Sequence, residues 1–300
     1  MPDSSPSVTI IIATTAEAKR DNDIRQAISS IRSASKNPVT ILVYVNGNRY
    51  SPALCSWLKE EAGVDYFYSE VGSFPLALYE AKKLVKTAYF GFLDDDDELL
   101  PGSIDKRLEV FEQEPGIDAA IGNGVRNING KEIVTQKSIE ECRKDPLRSL
   151  LRNNGNWLAS CAGLFKTSSF DNEFFADYAP YSEWTYTAYR IANLKKVGFT
   201  EYKTYRINYT DNSLSAGLEY IQGQYNCASK VLKLKLPRDV KKALKNKAIN
   251  FAHDVAHRAL IEKQFWCALK FHLISLSSFS GFRNYAMFSR YFLSKDTLRQ

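Results

Sequence analysis

The 300-residue chain is poor in the residues that build metal clusters and disulfide frameworks. It has 3 histidines and 5 cysteines, and no two cysteines form a CxxC pair. Cys55, Cys142, Cys161, Cys227 and Cys267 are scattered and odd in number, which argues against a zinc cluster or a disulfide scaffold and fits a reducing cytoplasm. No run of about eighteen uncharged apolar residues occurs, so no membrane span is expected. Met1 to Ser7 is polar, so no secretory leader is expected either. Charge of one sign is also lacking. The net charge of +6 is compatible with phosphates or anionic lipids and demands neither, and no nucleic acid is expected as a partner.

Aromatics are abundant, with 17 Tyr, 17 Phe and 4 Trp. Core packing and the binding of ring-shaped ligands both account for such content. With 44% hydrophobic and 25% charged residues the composition is that of an ordinary globular protein.

The first hundred residues alternate between two periods. Apolar runs at Val8 to Ala13, Val39 to Val45, Tyr66 to Tyr68 and Tyr89 to Leu93 read as buried strands. Between them Ile24, Ala27, Ile28 and Ile31, then Leu54, Trp57 and Leu58, then Leu76, Tyr79, Leu84 and Val85 recur at helical spacing. This β-α-β-α-β-α-β order predicts a parallel sheet with flanking helices and a ligand crevice at the carboxyl ends of its strands. The middle, about Ala119 to Ser215, reads as short strands and loops, with a turn-rich loop at Asn153 to Asn156 and a helix at Tyr186 to Leu194 that Gly198 ends or follows. From Leu218 onward the pattern is helical. A basic stretch runs from Lys230 to Lys247, and Phe265 to Leu276 and Phe282 to Leu293 read as amphipathic helices.

The sharpest feature is Asp94-Asp95-Asp96-Asp97-Glu98, directly after an apolar strand. Strand alternation would bury some of these carboxylates, which costs free energy, and they repel one another. A hard divalent cation, Mg²⁺ or Mn²⁺, resolves both problems because it prefers carboxylate oxygens and bridges to phosphates. The bland alternative is a solvated acidic turn at the start of the helix after Pro101 and Ser103. A second motif, His253-Asp254-Val255-Ala256-His257, imitates the helical zinc-protease pattern. Its glutamate is replaced by aspartate and no third ligand is evident, so packing or surface histidines are expected.

The segment YFGFLDDDDELLP, Tyr89 to Pro101, resembles the DXD region of family 2 glycosyltransferases with the GT-A fold. VTIIIAT, Val8 to Thr14, is similar to the family's first strand, and QAISSI, Gln26 to Ile31, to the helix after it. ILVYVNGN, Ile41 to Asn48, stands where the family has a strand ending in acidic residues. Asp171 to Arg190 resembles the region with an acidic pair before an arginine, and YRINYTDNSLS, Tyr205 to Ser215, resembles the family's late motif.

The resemblance implies a Rossmann-like, mixed but mostly parallel α/β sheet of the GT-A type over residues 1–217, and a helical C-terminal region over 218–300. It implies an inverting, metal-dependent glycosyltransferase that uses a nucleotide-sugar donor, with a UDP-sugar favoured. The implied acceptor is a glycan or lipid-linked molecule, as in bacterial surface polysaccharide synthesis. Asp94 and Asp96 would hold Mn²⁺ or Mg²⁺. Thr14, Asn46, Gly47 and Asp95 would lie at the nucleoside and ribose. Glu183 would be the catalytic base, with Asp177 as the second candidate, and Trp157, Tyr181 and Trp184 would line the acceptor site. Five positions depart from the family pattern: Asn46 replaces an acidic residue, Trp184 an aspartate, Asn208 a histidine, Tyr79 an asparagine and Leu78 an arginine. These departures leave a non-catalytic nucleotide-sugar-binding or scaffold protein as one alternative; a sugar nucleotidyltransferase is another. The C-terminal helices would serve as an appendage, an oligomer contact or a dock for the cytoplasmic membrane face.

Overall fold

The computed structural model describes residues 7–152, 156–209 and 217–277. The chain divides into two compact units: residues 1–178 with 187–211, and residues 179–186 with 212–300.

The first unit opens as its apolar periodicity dictates. Strand β1 (Val8–Thr14) is buried at all seven positions. Helix α1 (Asp21–Ser33) buries Ile24, Ala27, Ile28 and Ile31. Strand β2 (Thr40–Asn46), helix α2 (Pro52–Glu60), strand β3 (Val64–Ser69), helix α3 (Phe74–Lys83) and strand β4 (Tyr89–Phe92) follow. Helices α2 and α3 start alike. Ser51 and Ser73 accept hydrogen bonds from the backbone N–H groups of Leu54 and Leu76, and a proline stands in each first turn. Beyond β4 come β5 (Glu98–Leu99), α4 (Ser103–Gln113), β6 (Ala119–Ile128), β7 (Lys131–Val134), α5 (Ile139–Lys144), α6 (Pro146–Ser149), β8 (Gly163–Lys166), α7 (Glu183–Leu194) and β9 (Val197–Tyr209).

The strands form one sheet in the order β3-β2-β1-β4-β8-β6-β9-β5, with β7 paired to β6. Strands β3, β2, β1 and β4 are parallel, as are β6 and β9; β8, β5 and β7 pair antiparallel. Six of the nine strands run in one direction and β5, β7 and β8 run against them, so the sheet is mixed and mostly parallel, as expected. The middle of the chain is more regular than its sequence suggests. β6 and β9 pair over ten residues of β6, and Gly198 lies inside β9 instead of ending α7. Their register slips at Gly122/Asn123 and Asn123/Gly124, a bulge that bends the pair. Two glycines fit that bend. A Cβ on Gly122 would meet Thr204 Oγ1 at 2.1 Å, and one on Gly124 would meet the Tyr205 ring at 2.4 Å.

Aromatic content goes largely to packing. Phe90, Phe92, Phe165, Phe170, Phe174 and Phe175 form a continuous cluster, with ring centroids such as 5.6 Å for Phe90–Phe92 and 5.0 Å for Phe170–Phe174.

In the second unit, α8 (Leu218–Val231), α9 (Arg238–Ile261) and α10 (Phe265–Ser275) share a core of Leu218, Ala252, Val255, Ala256, Ala259, Ala268 and Phe271. α10 is not amphipathic as expected. It buries Ala268 and Phe271, yet Trp266 and Leu273 are 78% and 60% exposed. The helix expected at Phe282 to Leu293 and most of the Asn153 to Asn156 loop lie outside the described residues. No helix among the described residues is long and apolar enough to cross a membrane. His253 and His257 lie on α9, and among the described residues no three His, Cys, Asp or Glu side chains converge to hold a metal ion.

Candidate active site

The site is assembled at the carboxyl ends of β1, β2 and β4. β4 ends at Phe92, and a backbone bond from Leu93 N to Ile11 O (2.9 Å) keeps the chain on the sheet for one more residue. The chain then turns, with Asp97 N donating to Asp94 O at 3.2 Å, and re-enters the sheet as β5 against Arg206 and Tyr205 of β9. The acidic run is thus built into the sheet. It is not the start of α4, whose N-cap is Gly102.

Alternation through the turn gives the carboxylates two environments. Asp94, Asp96 and Glu98 are partly exposed, while Asp95 and Asp97 are buried. Asp94 Oδ2 accepts a hydrogen bond from Ser160 Oγ at 2.8 Å. Asp95 accepts from Thr14 Oγ1 (2.5 Å) and from Arg20 Nη1 (2.9 Å). Arg20 Nη1 also donates to Asp96 Oδ2 at 2.8 Å. Asp97 Oδ1 accepts from the backbone N–H of Asn208 at 3.0 Å.

The energetic consequence is that the two buried carboxyls resist ionisation. Burial pushes the Asp95 carboxyl up to about 6, against the opposing pull of Arg20 and Thr14. Burial, then repulsion from Asp94 and Asp96, holds Asp97 well above the usual carboxylate range. Asn208, at the position where a histidine was anticipated, clamps the turn. Its side-chain amide donates to Asp96 O (3.0 Å) and Glu98 Oε1 (3.2 Å). Arg206 lies 3.4 Å from Glu98 and 2.8 Å from Glu132. A cavity of about 450 Å³ beside these groups is lined by Asp23, Asp96, Asp97, Asn127, Arg206 and Asn208, among others.

The expected nucleoside residues gather at the neighbouring strand ends. Thr14 closes β1, and its Oγ1 accepts from Ala16 N at 2.9 Å while donating to Asp95. Asn46 closes β2 and donates its amide to Thr14 O at 2.9 Å, so it ties the two strand ends together. Gly47 follows with φ +82, a left-handed backbone, and a Cβ there would meet Gly72 Cα at 3.2 Å. Gly47→Ala is expected to cost about 1–2 kcal/mol, a lowering of the melting temperature by about 2–6 °C. An unchanged melting curve would show that the loop accommodates a side chain.

Not every expected residue faces an opening. Trp157 is fully buried, its indole N–H bonded to Pro146 O at 3.0 Å and its ring 5.5 Å from Phe199. It is a core side chain and presents no ring face to an acceptor, which corrects the sequence expectation. Asp177 is exposed and lies 3.8 Å from Arg190, which also bonds the carbonyls of Phe174 and Asp177. Glu183 opens α7, whose first turn falls in the second unit, and Tyr181 N donates to its carboxylate at 3.1 Å. Burial raises its pKa above that of an ordinary glutamate, partly offset by backbone hydrogen bonds. Tyr181 is 43% exposed with φ +63, and its hydroxyl donates to Glu219 at 2.6 Å. Trp184 is partly buried in the first turn of α7.

Arg20 escaped the sequence reading. Its only signal is a basic side chain shortly after β1.

A family model described as glycosyl transferase family 2 matches residues 9–174. Among solved structures, S. aureus TarS 1–349 in complex with UDP superposes with a TM-score of 0.60 at 12% identity, covering 98% of this chain and 89% of that one. The same TarS segment with UDP-GlcNAc gives 0.60 at 13% identity, with the same coverage. The Pyrobaculum calidifontis mannosyltransferase PcManGT in complex with GDP-Man and Mn²⁺ gives 0.57 at 14% identity, covering 99% of this chain and 84% of that one. At such identities the likeness is one of fold. No curated protein sequence matches the chain.

Proposed function

The chain belongs to glycosyl transferase family 2, and from that premise we propose that it transfers a sugar, with inversion, from a nucleoside-diphosphate donor to a glycan or lipid-linked acceptor. The observation that carries this reading is the turn after β4, which directs Asp94 and Asp96 outward and buries Asp95 and Asp97 beside the ends of β1 and β2.

The outward carboxylates fit a divalent ion, Mn²⁺ or Mg²⁺. Their donors are hard oxygens, and a single guanidinium, Arg20, faces the turn through Asp95 and Asp96. Since no three side chains converge among the described residues, Asp94 and Asp96 would share the ion with donor phosphates. Such an ion supplies charge stabilisation to the departing diphosphate. Thr14, Asn46 and Gly47 position the nucleoside, and Asp95 holds Thr14 in place. Glu183 is the proposed base for the acceptor hydroxyl, and burial raises its pKa, which strengthens it as a proton acceptor. Tyr181 and Trp184 are the aromatic candidates for the acceptor. A UDP-sugar is the favoured donor, in keeping with the UDP and UDP-GlcNAc complexes of the fold relative TarS.

A thermal-shift panel of UDP-, GDP-, CMP- and dTDP-sugars, each with and without Mn²⁺, tests the reading. One nucleotide class is expected to raise the melting temperature by several degrees more with Mn²⁺ than without it, as mass action requires for a ligand whose affinity the metal increases. A panel with no shift would refute a donor site at this turn.

A further inference from the structure

Arg20 places a fixed positive charge at the acidic turn. It closes a short 3-10 turn, Ala18–Arg20, between β1 and α1. Its Nη1 lies 2.9 Å from Asp95 Oδ1 and 2.8 Å from Asp96 Oδ2, so one nitrogen bridges two successive carboxylates of the acidic turn. Among the described residues its Nε and Nη2 make no hydrogen bond, and a third of the side chain is exposed. The guanidinium is therefore tethered on one corner and open on the rest. A guanidinium stays charged at any working pH and presents a planar fork that matches phosphate oxygens.

Two facts then conflict. Asp96 is the carboxylate that the proposed function gives to a divalent ion, yet its Oδ2 is held by a fixed positive charge. A cation cannot approach that oxygen without working against Arg20, since like charges a few ångströms apart repel. A diphosphate resolves the conflict, because its oxygens offer the free corner of the fork a stronger bidentate partner.

We propose that Arg20 competes with the divalent cation for Asp96, and that the donor's diphosphate lifts the competition by drawing the guanidinium onto itself. This rests on the metal reading of Asp94 and Asp96. In this scheme metal alone binds weakly, and metal and donor bind as a coupled pair. The enzyme then avoids collecting stray divalent ions before a donor arrives.

The test measures Mn²⁺ binding with no nucleotide, by the loss of the free-ion EPR signal, in the wild-type chain, Arg20→Gln, Arg20→Lys and Asp96→Asn. Arg20→Gln is expected to bind Mn²⁺ about five- to tenfold more tightly than wild type, the size of effect that removing one nearby, partly screened charge produces. Arg20→Lys, which keeps the charge, should stay within about twofold of wild type on the same reasoning. Binding of metal-free UDP, by calorimetry, should weaken severalfold in Arg20→Gln. Circular dichroism confirms that each variant is folded, and Arg20→Ala replaces Arg20→Gln if the latter is not. Equal Mn²⁺ affinity in wild type and Arg20→Gln, including no detectable binding by either, overturns the proposal. Where wild type binds Mn²⁺ measurably, loss of that binding in Asp96→Asn means that only the competition fails, and unchanged binding in Asp96→Asn means that the metal reading fails with it.

Discussion

Asp96→Ala is expected to lower glycosyl transfer by about a thousandfold or more and to leave the protein folded. The first half follows from the chemistry: stabilising a departing diphosphate is worth several kcal/mol, and each 1.36 kcal/mol is a factor of ten in rate. The second half follows from burial. The Asp96 side chain is 32% exposed, and among the described residues its one side-chain partner is an Arg20 that is itself 33% exposed. Pairs of this kind contribute about 0.2–1 kcal/mol. The Asn208 amide contacts the Asp96 backbone carbonyl rather than its carboxylate, so the clamp on the turn survives the substitution. The melting temperature should therefore move by no more than about 3 °C. Turnover within tenfold of wild type in the presence of Mn²⁺ would remove Asp96 from the metal site. A collapse in melting temperature would instead assign it a structural role.

Glu183→Gln is expected to reduce kcat by about a hundred- to ten-thousandfold, the range that a positioned general base contributes. The amide keeps the shape and can still accept the N–H of Tyr181, so donor binding should be unchanged. The pH profile gives an independent check. Burial raises the Glu183 pKa in the folded protein, and a base works only when deprotonated. Activity is therefore present above that raised pKa and falls as pH drops through it, so the acid limb lies above the ordinary carboxylate range. Stability moves the other way. A carboxylate with a raised folded pKa favours folding less once pH exceeds its unfolded value. Full activity in Glu183→Gln would transfer the role to another group, and Asp177 is the next to replace.

The first half of the sheet was legible because of where it lies. β1, β2 and β4 are central parallel strands, covered on both faces, so they appear as continuous apolar runs. β6 and β9 were not legible. β6 carries glycines at 122 and 124 that read as loop signals, yet they are there to admit Thr204 and Tyr205. β9 contains the exposed run Glu201, Tyr202 and Lys203 at its bulge, which breaks any alternation. The acidic turn could be read as a site because five carboxylates after an apolar strand have few cheap explanations. Its supports could not. Arg20 lies 75 residues from Asp95, and no local pattern announces that pairing. Trp157 misled because an indole in a loop-rich stretch fits a sugar-facing ring as well as a core, and only its contact with Pro146 O decides between them.

The reliance of the acidic turn on β9 has a consequence for biosynthesis. Asn208 N reaches Asp97 across 111 residues of sequence, and β5 pairs with Arg206 and Tyr205 of that same strand. A ribosome making this chain releases the four aspartates long before it releases the strand that clamps them. Until then the early parallel strands can pair, but Asp95 and Asp97 cannot be buried with their partners. Contacts so distant in sequence form slowly and late. The acidic turn is therefore the last part of the first unit to mature, and a nascent chain stopped before residue 197 would hold the early strands without the clamp on that turn.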